Sequence, residues 1–525
     1  MDGRTLLHRW EAAAALLLAN SPTPRAHLHW VKVLPIWLRW RNHPVGALVA
    51  GAARYPGRTA VVDDDGETTF EQLDGDTNAL ARAWRRMGYG PETTIAVLAL
   101  PSRTFLTATI AAQKLGAPLV YLNAAFAAPQ VADVIEDEGI DLLVHDDQSA
   151  GATADVRSAM VAGERDLEAA IASSEPRPLR PPDTPGRTVV LTSGTTGQPM
   201  GARRAGAGNP LDAAGVLASL PLVSGDRIAV AAPLFHGFGL FGATAGLALG
   251  NTLVVRRKFD PEQTLDDISG NRATVLIAVP VMLQRILALP DRARAAYDTS
   301  SLRVVASGGS ALSAEFARRF MDEFGDILYN IYGSTEVGFA TCASPRDLRA
   351  VPGTAGRPIP GSIVRLLDQA GTHVPTGATG RIFVGSGLRM DAYTGGGGKE
   401  VIGNLVSTGD LGHIDATGRL FVVGRDDEMI VSGGENVFPA EVEEALASHP
   451  GILETSVIGV EDAEYGQRLR AFVVPARGAA LSEDDVKQHV HERLARFKVP
   501  RDVVFLEELP RNATGKVMKK ELAEQ

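Results

Sequence analysis

The sequence predicts an α/β protein: a large N-terminal domain of mixed, largely parallel sheets covered by helices, then a small α+β domain. From about Val45, short apolar runs typical of buried strands alternate with amphipathic helical segments. After Pro352, short runs separated by glycine-rich turns indicate a small β subdomain. The chain has 525 residues, more than one hydrophobic core usually supports, so at least two domains are expected.

The first 300 or so residues carry the clearest alternation. Residues 77–87 predict a helix, because Leu80, Trp84 and Met87 share one helical face. The apolar run 94–100 then predicts a buried strand. Further buried strands are expected at 118–122, 142–144, 228–232, 252–255, 274–279 and 302–306.

A phenylalanine-rich helix is predicted next. Ser313 is its expected N-cap, and Phe316, Phe320 and Phe324 follow on one face. Strands of the small β subdomain are expected at 363–367 and 380–384.

The last 100 or so residues predict a separate α+β unit. Pro439 indicates a helix start, and Ser482 with Asp485 indicates a capping box before a second helix. The runs 456–460 and 471–474 predict strands. Two strands and two helices are therefore expected here.

Composition and charge argue against a nucleic-acid-binding, a disulfide-bonded or a membrane-spanning protein. The net charge of −10 argues against nucleic acid as the main partner, because phosphate backbones require basic surfaces. The single cysteine, Cys342, excludes an internal disulfide and fits a reducing, cytoplasmic location. Apolar runs stay shorter than the roughly 18–20 residues of a membrane helix, so no transmembrane segment is predicted.

Residues 1–44 are predicted to form an N-terminal arm. An alanine- and leucine-rich run resembles the core of a signal peptide, but Asp2 and Glu11 precede it and no clear cleavage site follows. Residues 29–41 hold three of the five tryptophans among cations, which would suit weak contact with a membrane surface. The favoured alternative is an arm packed on its own domain, because Pro35 interrupts any long amphipathic helix.

A phosphate-binding loop is predicted after the apolar run that begins at Thr188. Hydroxyls and glycines follow abruptly, and such a loop offers backbone N–H groups and hydroxyl donors to an anion. Because no Gly-Lys-Ser/Thr closes the loop, it is not the P-loop of NTPases. The predicted phosphate contacts are Thr192, Ser193, Gly194, Thr195, Thr196 and Gly197.

Four further stretches follow this loop in a fixed order. They are Tyr332-Gly333-Ser334-Thr335-Glu336, Ser407-Thr408-Gly409-Asp410, residues 424–428 running into 433–436, and residues 510–516. With the loop, their order and spacing resemble the adenylate-forming superfamily of acyl-CoA synthetases, adenylation domains and luciferase. The resemblance runs from about residue 45 to the C-terminus. It implies an adenylate- and acyl-binding domain at 45–424 and a mobile C-terminal domain at 425–525.

The resemblance implies an acyl-CoA ligase that uses ATP or acyl-AMP, Mg²⁺ and coenzyme A. A carboxylic acid is first joined to AMP, after which the C-terminal domain rotates and a thiol attacks. The predicted catalytic residues are Lys516, Thr335, Glu336 and His236, with Glu336 also holding the metal. Asp427 is the implied hinge. Many relatives form dimers, which by analogy suggests a homodimer.

The remaining residues of the predicted site bind the nucleotide or the thiol. Asp410 is expected to accept from both ribose hydroxyls, with Arg425 beside it. Other nucleotide contacts are expected from Gly308, Gly309, Ser310, Tyr332, Gly333 and Ser334. The thiol channel is expected to use Gly433, Gly434, Tyr465 and Phe497.

His236 leaves two interpretations open, a residue near the acyl carbonyl or a histidine that only satisfies a buried hydrogen bond. The small residues of 237–246 are expected to line an acyl pocket and to leave space in it. The absence of charge in this run favours a bulky or long apolar acid over an amino acid.

Met200 departs from the family pattern, in which a lysine usually lies between Pro199 and Gly201. The missing charge predicts an impaired adenylation step and an intact thiol step, unless Arg203 or Arg204 compensates. In the strong form of this hypothesis, the enzyme mainly transfers a preformed acyl-adenylate to coenzyme A. Two alternatives remain open, an enzyme that loads a carrier protein and a non-catalytic adenylate-binding homologue.

Overall fold

The computed structural model describes residues 35–36, 38–40, 43, 45–193, 199–204, 210–389, 392–393, 398–432, 435–462, 466–512 and 515–524. Backbone contacts divide these residues into two compact units. The first unit lies within Met1–Ala306, Thr335–Gly338 and Gly387–Gly398, and the second within Ser307–Ser334, Phe339–Ser386 and Lys399–Gln525. The boundary predicted at 424/425 and the mobility of the C-terminal domain stay predictions.

The strands are numbered in chain order. Those up to residue 306 are β1 (Thr59–Asp63), β2 (Gly66–Thr69), β3 (Ile95–Leu98), β4 (Leu119–Tyr121), β5 (Leu142–His145), β6 (Met160–Ala162), β7 (Thr188–Ser193), β8 (Pro199–Arg204), β9 (Arg227–Val230), β10 (Thr252–Val255) and β11 (Val275–Ala278). The later ones are β12 (Val304–Gly308), β13 (Leu328–Ser334), β14 (Gly338–Ala343), β15 (Arg357–Pro358), β16 (Ile363–Leu367), β17 (Gly380–Gly385), β18 (Ala392–Tyr393), β19 (Val401–Ile402), β20 (Leu405–Ile414), β21 (Leu420–Arg425), β22 (Ile430–Ser432), β23 (Glu435–Val437), β24 (Ile452–Asp462), β25 (Gly466–Pro475) and β26 (Asp502–Phe505).

The helices are numbered in the same way. In the first unit they are α1 (Val45–Arg54), α2 (Phe70–Arg86), α3 (Arg103–Leu115), α4 (Ala128–Glu138), α5 (Glu164–Ala172), α6 (Pro210–Ser219), α7 (Gly237–Leu249), α8 (Pro261–Asn271), α9 (Pro280–Leu287) and α10 (Asp291–Arg294). In the second unit they are α11 (Ala314–Phe324), α12 (Pro345–Ala350), α13 (Pro439–Ala447), α14 (Glu483–His491) and α15 (Lys519–Ala523). Among the described residues, no helix has both the length and the apolar character needed to cross a bilayer.

The first unit is built on parallel strands, as the sequence predicts. One sheet has the order β18-β8-β7-β4-β3-β5-β6, in which β7, β4, β3, β5 and β6 run parallel. In a second group, β11, β9, β10 and β1 run parallel and β2 pairs antiparallel with β1. The apolar runs fit this arrangement, because β3, β10 and β11 are buried along their whole length.

Helix α2 begins earlier and ends sooner than the sequence predicts. Thr69 caps its N-terminus in a capping box with Gln72. Leu80 and Trp84 are buried, but Met87 follows the last helical residue and is 62% exposed. The helix therefore ends one residue before the predicted end, and Met87 serves as its C-cap.

The glycines of α7 allow the helix to pack very closely on its neighbours. A Cβ atom at Gly239 would lie 2.3 Å from the carbonyl oxygen of Pro233, and one at Gly242 would lie 2.3 Å from Ile277 Cδ1. A Cβ at Gly246 would lie 2.8 Å from Leu253 Cδ2. The prediction that small residues leave space is wrong for these three glycines, because protein atoms fill the space beside them.

The second unit contains the predicted antiparallel β subdomain. Its strands have the order β16-β17-β20-β19, and β21 also pairs with β20. Strands β13, β14 and β15 lie side by side, and Ser313 caps α11 as predicted. Phe316 and Phe320 of α11 are buried, and the rings of Phe320 and Phe324 stack at 4.7 Å.

The C-terminal part of this unit has more strands than the sequence predicts. Strands β23, β22, β25 and β24 form a sheet in this order, and β26 runs parallel to β25. The two predicted helices correspond to α13 and α14, with Pro439 at the first turn and Ser482 in a capping box. Strands β22, β23 and β26 escaped prediction because they are three or four residues long and carry little periodicity.

We predict that Gly239→Ala destabilises the protein, because the new methyl group meets backbone oxygens that cannot move independently. The free energy of unfolding should fall by about 1–3 kcal/mol, the usual cost of overpacking. Urea denaturation followed by circular dichroism measures the change. The matched control is Gly270→Ala in α8, where a Cβ meets no atom within 4 Å. An unchanged midpoint for Gly239→Ala would contradict the packing argument.

Candidate functional site

Asp410 lies at the centre of a polar cluster in the second unit. The antiparallel register of β20 and β21 places Asp410 opposite Arg425, and Arg425 Nη1 lies 3.8 Å from Asp410 Oδ1. The hydroxyl of Tyr332, at the end of β13, donates to Asp410 Oδ2 at 2.5 Å. Gly409 has a φ of +81°, a backbone conformation that favours glycine. The cluster joins three of the predicted stretches.

The electrostatics of this cluster follow from burial. Removal from water raises the pKa of Asp410, and the Tyr332 hydroxyl and the Arg425 guanidinium act in the opposite direction. Burial, together with the neighbouring Asp410 carboxylate, also raises the pKa of Tyr332 well above its ordinary value. Tyr332 therefore stays protonated and donates. The carboxylate retains acceptor capacity for hydroxyl groups of a ligand.

Asp427, the predicted hinge residue, is fixed by Arg425. The Nε and Nη2 atoms of Arg425 each donate to the Asp427 carboxylate at 2.9 Å. This fork-to-fork contact lowers the pKa of Asp427, so the pair stays ionised near neutral pH. One arginine thus connects the carboxylate at the centre of the cluster to the predicted hinge.

Lys516, the predicted catalytic lysine, has an exposed side chain. Its backbone N–H donates to Asn512 Oδ1 at 3.0 Å, and Gly515 before it has a φ of +80°. Its positive charge is one of the influences that lower the pKa of Asp410, which places the two groups within electrostatic reach. The structure therefore brings the predicted catalytic lysine near the predicted ribose-binding carboxylate.

Two buried hydroxyls near the ends of β12 and β13 have no hydrogen-bond partner among the described residues. They are Ser307 Oγ and Ser334 Oγ. Unsatisfied buried hydroxyls are unusual, so these two suit polar atoms of a bound ligand. Gly309, which follows β12, has a φ of +90° and turns the chain there. These observations fit a nucleotide, and Ser307 adds a residue that the predicted site did not include.

Lys399 is a second residue that sequence reasoning missed. A Cβ atom on Gly409 would lie 3.3 Å from Lys399 Nζ and 3.3 Å from Arg425 Nη1. The lysine charge also contributes to the lowered pKa of Asp427. Lys399 follows a run of glycines and belongs to no recognisable motif. Pairing of β19 with β20 brings Lys399 close to Gly409.

His236 occupies the N-cap position of α7 in the first unit. Its Nε2 atom is buried and has no partner among the described residues, and burial lowers the pKa of His236 to about 4. The imidazole is therefore neutral at pH 7. The unsatisfied Nε2 disfavours the interpretation that His236 only completes a buried hydrogen bond, and it leaves a polar atom available to a ligand.

Thr335 and Glu336 are half-buried residues that directly follow β13, and they belong to the first unit. No group of three or more histidines, cysteines or acidic residues forms a metal site within the described part of the chain. Magnesium usually binds through one or two carboxylates together with substrate phosphates, so a single carboxylate such as Glu336 fits that chemistry.

Several predicted site residues are outside the described part of the chain. These are Gly194, Thr195, Thr196, Gly197, Gly433, Gly434 and Tyr465. Thr192 and Ser193 are the last residues of β7, and their backbones pair with Met200 and Pro199 of β8. The predicted thiol contact Phe497 is 40% exposed, with Lys498 Nζ 5.7 Å from its ring centre.

Comparison with known proteins establishes the family. The sequence model for AMP-binding enzymes matches residues 48–394, and that for the AMP-binding enzyme C-terminal domain matches residues 441–516. The chain belongs to the AMP-binding enzyme family. This confirms the predicted superfamily and the predicted enzyme class, an AMP-forming acid–thiol ligase.

Relatives of this AMP-binding enzyme include an indoleacetate–CoA ligase of Aromatoleum aromaticum, 35% identical over 483 residues that cover 88% of this chain and 94% of the relative. A fatty acid–[acyl-carrier-protein] ligase, ScoC of Streptomyces coeruleorubidus, is 32% identical, covering 90% and 94%. The solved structure of the anthranilate CoA ligase AuaEII with anthranoyl-AMP is similar, with a TM-score of 0.83 and 26% identity, covering 93% of this chain and 97% of that one. These matches confirm the predicted fold class.

We predict that acid weakens the fold through His236. The unfolded histidine takes up a proton near pH 6.5 and the buried one near pH 4, so stability rises with pH between these values. Lowering the pH from 7 to 4 should remove about 3 kcal/mol of unfolding free energy on account of this group. Denaturation of wild type and His236→Gln at pH 7, 5.5 and 4 measures it. Parallel pH profiles for the two proteins would refute the assignment.

Proposed function

We propose that this enzyme is an acyl-CoA ligase that converts a bulky apolar, aromatic carboxylic acid to its coenzyme A thioester through an acyl-adenylate. The observation that carries the proposal is the half-buried Asp410 carboxylate, held by Tyr332 and Arg425 with Lys516 in electrostatic reach. That cluster offers an acceptor for a ribose and a cation for a phosphate. ATP or acyl-AMP, Mg²⁺ and coenzyme A are the proposed ligands.

In the first half-reaction, a carboxylate oxygen of the acid attacks the α-phosphorus of ATP, and the bond to the pyrophosphate group breaks. Negative charge builds up on the oxygens around that phosphorus. Lys516 would stabilise this charge as a compact cation, and Thr335 would contact the α-phosphate. Glu336 would hold Mg²⁺, which supplies charge neutralisation at the phosphates. Asp410 would orient the nucleotide through the ribose.

In the second half-reaction, the sulfur of coenzyme A attacks the acyl carbonyl carbon, the bond to the AMP oxygen breaks, and the thiol proton passes to solvent. We propose that residues 425–525 rotate at Asp427 before this step, as the family resemblance implies. The contact between Arg425 and Asp427 supports this position for the hinge. It connects the polar cluster around Asp410 to the beginning of the proposed rotating domain. Gly433, Gly434, Tyr465 and Phe497 would then line the thiol channel.

The nature of the acid is proposed from α7 and from the relatives. The residues of α7 carry no charge, so an amino acid would find no counter-ion on this helix. The glycine-rich face is occupied by packing, and Phe238, Phe241 and Thr244 are among the partly or fully exposed residues of α7. The indoleacetate and anthranilate ligases described above act on aromatic acids, which supports a planar, apolar substrate.

Met200 supports a finer proposal, in which the first half-reaction is slow. The loss of one charge-assisted contact to the departing pyrophosphate would cost about 1.5–3 kcal/mol, or roughly 10- to 100-fold in rate. The second half-reaction does not involve pyrophosphate and would be unaffected. In its strong form, the enzyme would mainly thioesterify an acyl-adenylate made elsewhere.

The alternative acceptor of the acyl group is the thiol of a carrier protein. The similarity to ScoC, a fatty acid–[acyl-carrier-protein] ligase, supports this alternative. The enzyme, ATP and an aromatic acid are mixed either with coenzyme A or with a phosphopantetheinylated carrier. Comparing the amount of thioester formed with each acceptor distinguishes the two alternatives. A non-catalytic binder is disfavoured because Lys516, Glu336 and Asp410 are all retained. Three predictions from the sequence remain predictions. They are a homodimer, contact of the N-terminal arm with a membrane surface, and a cytoplasmic location.

We predict that Lys516→Ala lowers acyl-adenylate formation by about 100-fold or more, because the charge at the α-phosphate loses its cation. Thioester formation from synthetic indoleacetyl-adenylate and coenzyme A should change by less than about 3-fold. Pyrophosphate release and thioester chromatography measure the two steps. Lys520→Ala, four residues along, is the matched control and should behave as wild type. Equal losses in both steps for Lys516→Ala would contradict the assigned role.

We predict that Met200→Lys accelerates pyrophosphate release by about 10- to 100-fold, because it restores one charge-assisted contact. The rate from preformed adenylate should stay the same. Met200→Gln, which adds a polar group without charge, is the matched control. If wild type already releases pyrophosphate as fast as Met200→Lys, the proposal of an impaired first step is wrong.

A further inference from the structure

Glu444 of α13 binds the N-terminus of α11 within the second unit. Its Oε1 atom accepts from the backbone N–H of Ala314 at 2.8 Å, and the N–H of Glu315 contributes as well. These are first-turn N–H groups, which have no partner inside their own helix, and the helix end carries a partial positive charge. The half-buried carboxylate thus serves as a cap supplied by a helix 130 residues away in sequence.

The two helices belong to parts of the chain with different roles in the proposed function. Ser313, the N-cap of α11, directly follows residues 307–312, in which Gly309 turns the chain and Ser307 Oγ has no partner within the part of the chain that the structure describes. Helix α13 belongs to residues 425–525, the proposed rotating domain that carries Lys516. The contact from Glu444 to Ala314 therefore joins the segment expected to contact the nucleotide to the part of the chain that presents the lysine.

The other two glutamates of α13 have partners inside residues 425–525. Glu441 pairs with Lys498 at 2.5 Å. Glu443 accepts from the backbone N–H of Val457 at 2.8 Å and lies 3.5 Å from Lys519 Nζ. Those two contacts would persist through a rotation of the domain, whereas the contact made by Glu444 would break. Among the glutamates of this helix, Glu444 is thus the one whose partners depend on the position of the domain.

We propose that Glu444 is a positioning residue, which holds residues 425–525 where Lys516 can serve adenylation and which must release α11 before the thiol attacks. This inference rests on the proposed two-step function. The geometry makes the contact reversible, because the carboxylate exchanges two backbone N–H groups for water when it leaves. Loss of Glu444 therefore penalises the adenylation step and spares or accelerates the thiol step.

The test compares both half-reactions in Glu444→Ala and Glu444→Gln. Single-turnover pyrophosphate release with ATP and indoleacetate or anthranilate reports the first step, and thioester formation from the corresponding synthetic adenylate and coenzyme A reports the second. For Glu444→Ala we expect a loss of about 10-fold in the first step and a second step equal to or faster than wild type. Glu444→Gln, which keeps an acceptor oxygen, should fall between the two.

Glu315→Gln is the matched control, because it removes a negative charge from the same helix turn and leaves the Glu444 contact in place. It should leave both rates within about 2-fold of wild type. A second readout is trypsin cleavage after Arg425, beside the hinge, which should be faster in Glu444→Ala than in Glu315→Gln. Both readouts are repeated in the Met200→Lys background, so that a slow first step does not hide the effect.

The outcomes separate the two proposals. If wild type and Met200→Lys form neither adenylate nor thioester from any acid, and no thioester from synthetic adenylates, the proposed function fails. If they are active and Glu444→Ala slows both half-reactions equally, or leaves the first unchanged, the inference about Glu444 is wrong and the ligase remains. A purely structural role of Glu444 would lower the melting temperature and both rates together.

Discussion

The proposed site depends on one half-buried carboxylate, that of Asp410, whose negative charge must be stabilised by its neighbours. Burial raises the pKa of Asp410, and the Tyr332 hydroxyl and the Arg425 guanidinium offset that effect. Tyr332 belongs to β13, Arg425 to β21 and Asp410 itself to β20. The relative positions of these three strands therefore determine the ionisation of the Asp410 side chain. Arg425 also donates two hydrogen bonds to the Asp427 carboxylate. The arginine that stabilises the Asp410 carboxylate is therefore also bound to the proposed hinge residue.

Parallel sheets and close helix packing fill the interior of the first unit. Strands such as β3 and β11 are buried along their length, and α7 approaches its neighbours closely because three of its residues are glycines. His236 lies at the N-terminus of α7, and its Nε2 atom has no partner in the described ranges of the chain. The contact from Glu444 to α11 is of a different kind, since it consists of polar groups that water can replace.

Sequence reasoning succeeded where a local pattern has a local cause. The caps Ser313 and Ser482 formed as expected, because each serine side chain accepts from a backbone N–H only three residues further along the chain. It placed the start of α2 too late, and it missed the short strands β22, β23 and β26, whose formation depends on tertiary contacts. The small residues of 237–246 were expected to leave space, but a list of small residues does not reveal whether a neighbour fills the space beside them.

The sequence by itself determined the chemistry that this protein can perform, because ordered motifs specify which residue types are available: Asp410, Lys516, Glu336 and the hydroxyl-rich loop. It also determined the one visible departure from that chemistry, Met200. Only the tertiary structure decided that Ser307 Oγ has no partner among the described residues, that Lys399 lies beside Gly409, and that Glu444 caps a helix 130 residues away. Those relationships depend on distances between strands and helices, and residues far apart in sequence acquire such distances only when the chain folds.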